Sequence, residues 1–228
     1  MVNNKKNNLI NILVICLYFI WPYFLEAITS LMNLSNIQSL YLSFGVNFIF
    51  LFLIIYIYNK RLNNYIKNIT KKTKENIINS LKIFCIGLII FVMINSILYN
   101  LGILAPDNTI SMVNIFKKIP ILFILNTLFY YPVIEEIVFK LTFKDIIKNK
   151  WNFIILTGLL NASFQIIFSI NNLTDLLYIL PYTIFFSSLS YIYHKTNNIF
   201  YPIILRISYN LIPCIGYIIS VITNSSIL

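Results

Sequence analysis

Long apolar runs, separated by short polar loops, dominate the chain. Crossing a hydrocarbon core about 30 Å thick takes roughly 20 helical residues, and each run is close to that length. The runs lack the two-residue alternation of a β-barrel, and in lipid only helices and closed barrels satisfy their own backbone hydrogen bonds. The pattern therefore predicts an all-α, polytopic transmembrane helix bundle with about seven spans, at residues 9–25, 40–58, 77–99, 119–139, 153–170, 176–193 and 199–222.

The composition supports the same interpretation. Of the 228 residues, 59% are hydrophobic and only 11% are charged, and the mean hydropathy is +0.81. These values lie outside the range of ordinary soluble domains. The first apolar run lacks a small-residue cleavage site and is followed by further spans, so we interpret it as a retained helix rather than a signal peptide.

The net charge of +10 indicates membrane topology rather than nucleic-acid binding, because the basic residues fall in short loops between the runs. Their excess in alternate loops predicts a multi-pass membrane protein with a cytoplasmic N-terminus and with membrane lipids as partners. We expect this membrane to be a bacterial cell membrane. The basic linker at 59–76 is interpreted as a solvated loop near anionic headgroups. A lipid-binding or partner-docking role for this linker stays open.

Four ionisable side chains lie inside or at the edge of the runs: Glu135, Glu136, Lys140 and Arg206. A charge near the centre of a membrane helix is disfavoured by at least about 2.5 kcal/mol, so such residues pair, line a cavity or do chemistry. Glu136 and Lys140 are four residues apart and can pair on a helix. Glu135 points about 100° away and is expected to be free to face a cavity. The plainer alternative is a helix end closed by a salt bridge.

Three further residues in the runs, one proline and two amides, bear on the site. Pro132 lies three residues before Glu135 and is expected to loosen the helix and free carbonyl groups, or simply to kink it. Asn161 and Gln165, in the fifth run, are interpreted as residues that hydrogen-bond between helices.

Residues 132–140 (PVIEEIVFK) contain two adjacent Glu followed, after three residues, by Lys140. This arrangement resembles the first motif of the CPBP family, the CAAX-protease and bacteriocin-processing intramembrane endopeptidases, in which Arg stands at the position of this Lys. Two further stretches downstream resemble the other motifs of the family in the same order.

The second motif of the family has a Phe followed, after three residues, by a His. Residues 160–168 (LNASFQIIF) resemble it, with Phe164 in place and Phe168 at the position of the His. The third motif has a His followed, after three residues, by Asn or Asp. The segment RISYN resembles this motif, with Asn210 kept and Arg206 replacing the His.

The resemblance implies a helical core at 119–222, preceded by N-terminal transmembrane helices at 1–118. It implies an endopeptidase that cleaves prenylated or membrane-anchored peptides, with Glu135 as the general base and the third-motif residues as oxyanion donors. It also implies that Glu136 and Lys140 hold the site together as an ion pair.

Two departures from the family pattern argue against this activity. Phe168 can neither hold a water nor accept a proton. Arg206 cannot be deprotonated, although together with Asn210 it can still donate hydrogen bonds to an oxyanion. Alternatively, Arg206 neutralises Glu135 directly. Such pairing makes the Glu135 carboxylate a poorer base. We therefore hypothesise lost or reduced peptidase activity and a peptide-binding or immunity-type role. The alternative is an active, divergent endopeptidase with Glu135 as base.

No cofactor and no metal are predicted. A catalytic zinc site usually has three protein ligands including His, and His194, the single histidine, lies at the end of the sixth run. Cys16, Cys85 and Cys214 stand alone in separate runs, without the spacing of a disulfide or metal framework. The expected partners are therefore membrane lipids and a membrane-embedded or lipid-modified peptide, not nucleic acid.

Overall fold

The computed structural model describes residues 2–67, 73–103, 109–167, 169–170 and 172–223. This part of the chain forms helices and contains no strand, which confirms the predicted all-α bundle. The eight helices described are α1 (Val2–Leu31), α2 (Asn36–Lys67), α3 (Thr73–Asn100), α4 (Thr109–Lys118), α5 (Pro120–Ile146), α6 (Lys150–Ile167), α7 (Ile179–Thr196) and α8 (Phe200–Thr223), and a 3-10 segment, Leu173–Tyr178, precedes α7.

In the described part of the chain, six helices are long and apolar enough to cross a membrane: α1, α2, α3, α5, α7 with its 3-10 segment, and α8. The predicted fifth span is α6, which has 18 residues and contains the polar residues Asn152, Asn161 and Gln165. Helix α6 nevertheless runs beside α7, and Ile166 near its end packs with Tyr178. The predicted count of about seven spans therefore corresponds to six apolar helices plus the more polar α6.

Close contact between α6 and α7 fixes the position of α6. A Cβ atom on Gly158 would lie 2.0 Å from Ser187 Oγ, so only glycine permits this approach. Beside it, Thr157 Oγ1 donates to Ser190 Oγ at 2.8 Å, and Ser187 Oγ donates to the Ile154 carbonyl at 3.2 Å. Small and hydroxyl residues commonly join membrane helices in this way, and here they hold α6 and α7 as a pair.

Helix α5 lies at the centre of the bundle. In its most apolar window 50% of the residues are buried, compared with 11% for α1. Ile134, Ile137 and Phe139 of α5 are fully buried, and they join a cluster that includes Tyr18 of α1 and Ile54 of α2. The outer faces of α1, α2, α3 and α8 instead expose many large apolar side chains, as expected for surfaces that contact lipid.

One end of the bundle collects basic residues, and we call it the basic end. Here Arg61 near the end of α2 pairs with Asp145 of α5 at 2.5 Å, and Lys144 Nζ donates to Asn197 Oδ1 at 2.6 Å. Asn198, just before α8, donates to the Tyr65 carbonyl of α2 at 3.1 Å. The ends of α2, α5 and α7 and the start of α8 thus meet here, so α8 runs antiparallel to the other three. That the basic end faces the cytoplasm stays a prediction.

Helix α5 contains two π-helical segments, Asn126–Tyr130 and Ile137–Thr142. In the first, the Tyr131 N–H donates to the Asn126 carbonyl, five residues back. In the same pattern the Thr127 carbonyl would accept from residue 132, but Pro132 has no N–H. Asn210 Nδ2 of α8 donates to this Thr127 carbonyl instead, at 2.8 Å. The expectation that Pro132 frees a carbonyl is therefore confirmed, and α8 supplies the missing donor.

Candidate functional site

The four charged residues singled out in the sequence lie together inside the bundle. Glu135, Glu136 and Lys140 come from α5, and Arg206 comes from α8. Each is at most 4% exposed. Their formal charges sum to zero, which matters because a single uncompensated charge at such a depth is strongly destabilising. We call these residues the charge centre.

Arg206 connects the two carboxylates of the charge centre. Its Nη2 donates to Glu135 Oε2 in a close, buried ion pair, and its Nη1 lies 3.8 Å from Glu136 Oε1. The guanidinium carbon lies 4.4 Å from the centre of the Phe186 ring of α7, a cation–π arrangement. Glu135 is thus paired across the helix interface, as one of the two alternatives predicted, and does not serve as an unpaired carboxylate facing a cavity.

Glu136 and Lys140 form the predicted pair along α5. Lys140 Nζ lies 2.7 Å from Glu136 Oε2, and both side chains are at most 1% exposed. Glu136 is the last residue of a regular α-helical segment and Lys140 belongs to the second π-helical segment, so the pair spans the junction between them. Among the described residues, Arg206 Nε has no hydrogen-bond partner. The guanidinium therefore keeps one buried donor that the charge centre does not use.

Asn161 of α6 is a fifth member of the site, and it is fully buried. With its amide nitrogen facing the carboxylate, it donates to Glu135 Oε2 at 3.1 Å and its oxygen accepts from Arg206 Nη1 at 3.3 Å. This orientation satisfies both ends of the amide, whereas the reverse one satisfies neither. The sequence predicts Asn161 only as a residue that hydrogen-bonds between helices. The structure shows that the link joins the charge centre.

The second motif leaves two candidate positions for the lost histidine. The sequence predicts Phe168, whereas the residue that α6 presents to Glu135 is Asn161, seven residues earlier. Phe168 lies outside the described residues, so its own placement stays a prediction. Phe164 packs between aromatic rings, 4.8 Å from the ring of Tyr18 and 6.3 Å from that of Phe139. The spacing of the second motif also fits this position, because Thr157 and Asn161 are separated by three residues, as are Phe164 and Phe168.

Asn210 lies one turn after Arg206 on α8, but its amide nitrogen donates to the Thr127 carbonyl. The structure therefore gives it a partner in the π-helical segment of α5. Its predicted role as an oxyanion donor stays a prediction.

Metal binding has no obvious site in the described part of the chain, where no three His, Cys, Asp or Glu side chains are grouped closely enough to hold an ion. His194 lies near the end of α7, with its ring 6.4 Å from that of Phe153. The absence of a bound metal from the protein stays a prediction for elemental analysis.

The geometry sets what the charge centre can do. A general base must reach the proton of a substrate or of a water, and here the Glu135 carboxylate already accepts from a guanidinium and an amide. Both donors contact Glu135 Oε2, so a water could bind this oxygen only by competing with them. The donors themselves, Arg206 and Asn161, are both able to stabilise negative charge. The site is thus well built to hold a carboxylate.

Comparison with protein-family models gives a match in the second half of the chain. Residues 117–212 match the model of the Rce1-like family, described as type II CAAX prenyl endopeptidase Rce1-like. No curated protein and no solved structure matches the chain. The matched segment contains all five residues of the site, and it confirms the resemblance to the CPBP and CAAX-protease family. Residues 117–212 of this membrane protein are therefore similar to the Rce1-like family of type II CAAX prenyl endopeptidases, which supports the assignment made from the sequence motifs.

Proposed function

We propose that this protein is an Rce1-like membrane protein that has lost most or all peptidase activity and acts by binding a membrane-embedded or lipid-modified peptide, as an immunity-type protein would. The observation that carries the proposal is the buried ion pair between Arg206 and Glu135. It occupies the carboxylate that family resemblance identifies as the general base. An ion-paired carboxylate is a weaker proton acceptor.

Asn161 supports the same proposal. It lies against Glu135 where a partner for a nucleophilic water would be needed, and a neutral amide cannot take up a proton. We propose that Asn161 and Arg206 stand at the positions of the two family histidines. Both replacements exchange an acid–base group for a fixed donor, so the site keeps its shape while losing its means of moving protons.

The peptide-binding part of the proposal draws on a cavity away from the charge centre. This cavity, of about 620 Å³, lies beside the second half of α3 and the 3-10 segment before α7. Aromatic side chains line it together with amide groups: Phe91, Tyr99, Tyr178, Asn95 and Asn100. Aromatic walls with a few polar groups are typical of ligand pockets. In the predicted topology it opens on the outer side, where a secreted peptide would arrive.

One observation favours the alternative, an active and divergent endopeptidase. Glu135 is kept, and Arg206 and Asn161 both place donors within reach of its carboxylate. If a substrate displaced Arg206 from Glu135, the guanidinium would be available to an oxyanion. In that case Glu135 would be freed as base in the same step.

A cleavage assay separates the two functions. The full chain is reconstituted in liposomes with an internally quenched, farnesylated CAAX peptide, and wild type is compared with Glu135→Gln. We expect equal rates, at the background level. The double variant Asn161→His with Arg206→His restores both imidazoles and is expected to cleave, and adding Glu135→Gln to it should abolish the gain. Asn152→His, on the exposed side of α6, is the matched control and should gain nothing.

The active alternative would be established if the wild type cleaves the peptide and the Glu135→Gln variant is slower by a factor of about 10²–10⁴, which is typical of a general base. Peptide binding is measured separately, by fluorescence anisotropy of a labelled peptide. Tyr99→Ala in the cavity should weaken binding, whereas Tyr56→Ala, on a tyrosine of α2 that is 81% exposed, should not.

A further inference from the structure

A second cavity lies between the first halves of α3 and α8, and we call it the α3–α8 groove. Its volume is about 280 Å³. The walls are almost wholly apolar and include Ile77, Leu81, Ile204 and Leu205. Both helices expose apolar faces beside the groove, so the groove adjoins the region that lipid chains fill. A hydrocarbon chain is the ligand that such walls accept most readily.

One polar group inside the groove requires a partner. Ser80 lines it and is 1% exposed, yet its hydroxyl has no hydrogen-bond partner among the described residues. A buried hydroxyl left unpaired costs about 1–3 kcal/mol. Ser80 lies seven residues into α3, which is about 10 Å from the start of the helix at a rise of 1.5 Å per residue. The unpaired donor is thus a short distance inside the basic end.

Two lysines are close in sequence to residues that line the groove. Lys74 follows Thr73 at the start of α3, and Lys195 lies three residues before Asn198, which also lines the groove. Both lysines are exposed, as is the neighbouring Glu75, so lysines outnumber carboxylates here. Lysines at a membrane surface attract anionic headgroups. Tyr201, another lining residue, adds a phenol at the same end.

We propose that the α3–α8 groove binds one anionic glycerophospholipid. One acyl chain lies along the apolar walls, the Ser80 hydroxyl donates to an ester carbonyl, and the phosphate sits between Lys74 and Lys195. The ligand must therefore have a hydrocarbon chain for the apolar walls, a hydrogen-bond acceptor for Ser80 and a negative charge at the end near the lysines. A membrane glycerophospholipid carries these three features in that order.

This site is separate from the charge centre. Ile204 and Ser208 of the groove lie about 200° around α8 from Arg206 by helix geometry. Arg206 faces α5, whereas the groove residues face α3. The proposal therefore does not depend on whether the chain is a peptidase, and it can fail without affecting the proposed function.

Native mass spectrometry of the full chain tests the proposal. Detergent-purified, delipidated protein is titrated with phosphatidylglycerol or with phosphatidylcholine carrying the same acyl chains. We expect phosphatidylglycerol to bind more tightly, and each of Lys74→Gln and Lys195→Gln to weaken it about 5-fold. Ser80→Ala should weaken both lipids about 5-fold, through the lost hydrogen bond. Ile204→Trp fills the groove and should abolish the tightly bound lipid.

Matched variants control for general effects. Leu211→Trp adds the same side chain on the same face of α8, two turns farther along and outside the groove. Lys117→Gln with Lys118→Gln removes two exposed lysines before α5, at the opposite end. Both controls should bind lipid as wild type does. Equal binding of the two lipids, unchanged binding after Ile204→Trp, or displacement of the lipid by a farnesylated peptide would each overturn the proposal.

Discussion

Helix α5 carries two carboxylate–arginine pairs ten residues apart, and their surroundings differ. The Glu135–Arg206 pair has side chains that are 4% and 5% exposed, whereas in the Asp145–Arg61 pair they are 29% and 34% exposed. Water and salt screen the second pair, so its net contribution is small. The first pair has no such screening, and its members stabilise the fold only as long as both are present.

The partners of the two pairs differ as well. Asp145 also accepts from Asn11 Nδ2 at 2.9 Å, and Asn11 accepts from the Tyr58 hydroxyl at 2.8 Å. This network ties α1, α2 and α5 together at the basic end, where water reaches Arg61 and Asp145 while Asn11 and Tyr58 are buried. Glu135 instead joins α5 to α6 and α8 through charged and amide groups in the interior. The comparison teaches that two carboxylate–arginine pairs of similar chemistry can differ in importance, because water screens the pair at the basic end whereas the interior pair must stay complete.

The largest effect is expected from Arg206→Leu. This change leaves Glu135 buried without its cation, which should lower the free energy of unfolding by about 3–5 kcal/mol. Unfolding by SDS in mixed micelles, followed by circular dichroism, measures the loss.

The matched double variant is Arg206→Leu with Glu135→Leu. Because both charges are gone, we expect most of the lost stability to return. A double variant as unstable as the single one would show that packing around Arg206, and not its charge, is what matters.

A smaller effect is expected from Asn161→Ala. The change removes two hydrogen bonds to charged groups, so the free energy of unfolding should fall by about 1.5–3 kcal/mol. Asn152→Ala, at an exposed position of α6, is the control and should stay within about 0.5 kcal/mol of wild type. Equal losses in the two variants would contradict the assignment of Asn161 to the charge centre.

Arg61→Leu should have a still smaller effect. Its pair is about one-third exposed, so the expected loss is at most about 1 kcal/mol in the same unfolding assay. A loss as large as that of Arg206→Leu would remove the distinction between the two pairs.

Ionic strength should give the smallest effect. Raising salt from 0.1 to 1 M shortens the Debye length from about 10 to about 3 Å. The stability difference between wild type and Arg61→Leu should then shrink by a few tenths of a kcal/mol, whereas that for Arg206→Leu should stay constant. A salt-sensitive Arg206 variant would show that water reaches the charge centre.

Most of the fold could be predicted from the sequence, because each apolar run has the length of a membrane span. The position at which α5 ends could not be predicted. Its predicted span stopped at residue 139, since hydropathy falls at Lys140, yet the helix continues to Ile146. The continuation depends on Lys140 and Thr142 being buried, and hydropathy cannot indicate that a lysine is neutralised by a neighbour.

The site was predictable to a similar extent. The Glu136–Lys140 pair followed from a four-residue spacing, and the Glu135–Arg206 pair followed from charge balance. Asn161 was missed as a site residue because residue type alone does not tell which face of α6 meets α5. That face is set by the contact at Gly158 with α7, a tertiary feature that no local pattern encodes.

The first π-helical segment of α5 gives the chain one residue of tolerance just upstream of the charge centre. A π-helical turn accommodates one extra residue within an α-helix, so deleting one amino acid from Asn126–Tyr130 would restore a regular turn and leave Glu135 and Glu136 facing nearly the same way. The same deletion in a regular turn of α5 would rotate everything downstream by about 100° and turn both glutamates away from α8. A one-residue gap in a sequence alignment at this segment is therefore compatible with an unchanged charge centre, whereas a gap between this segment and Glu135 is not.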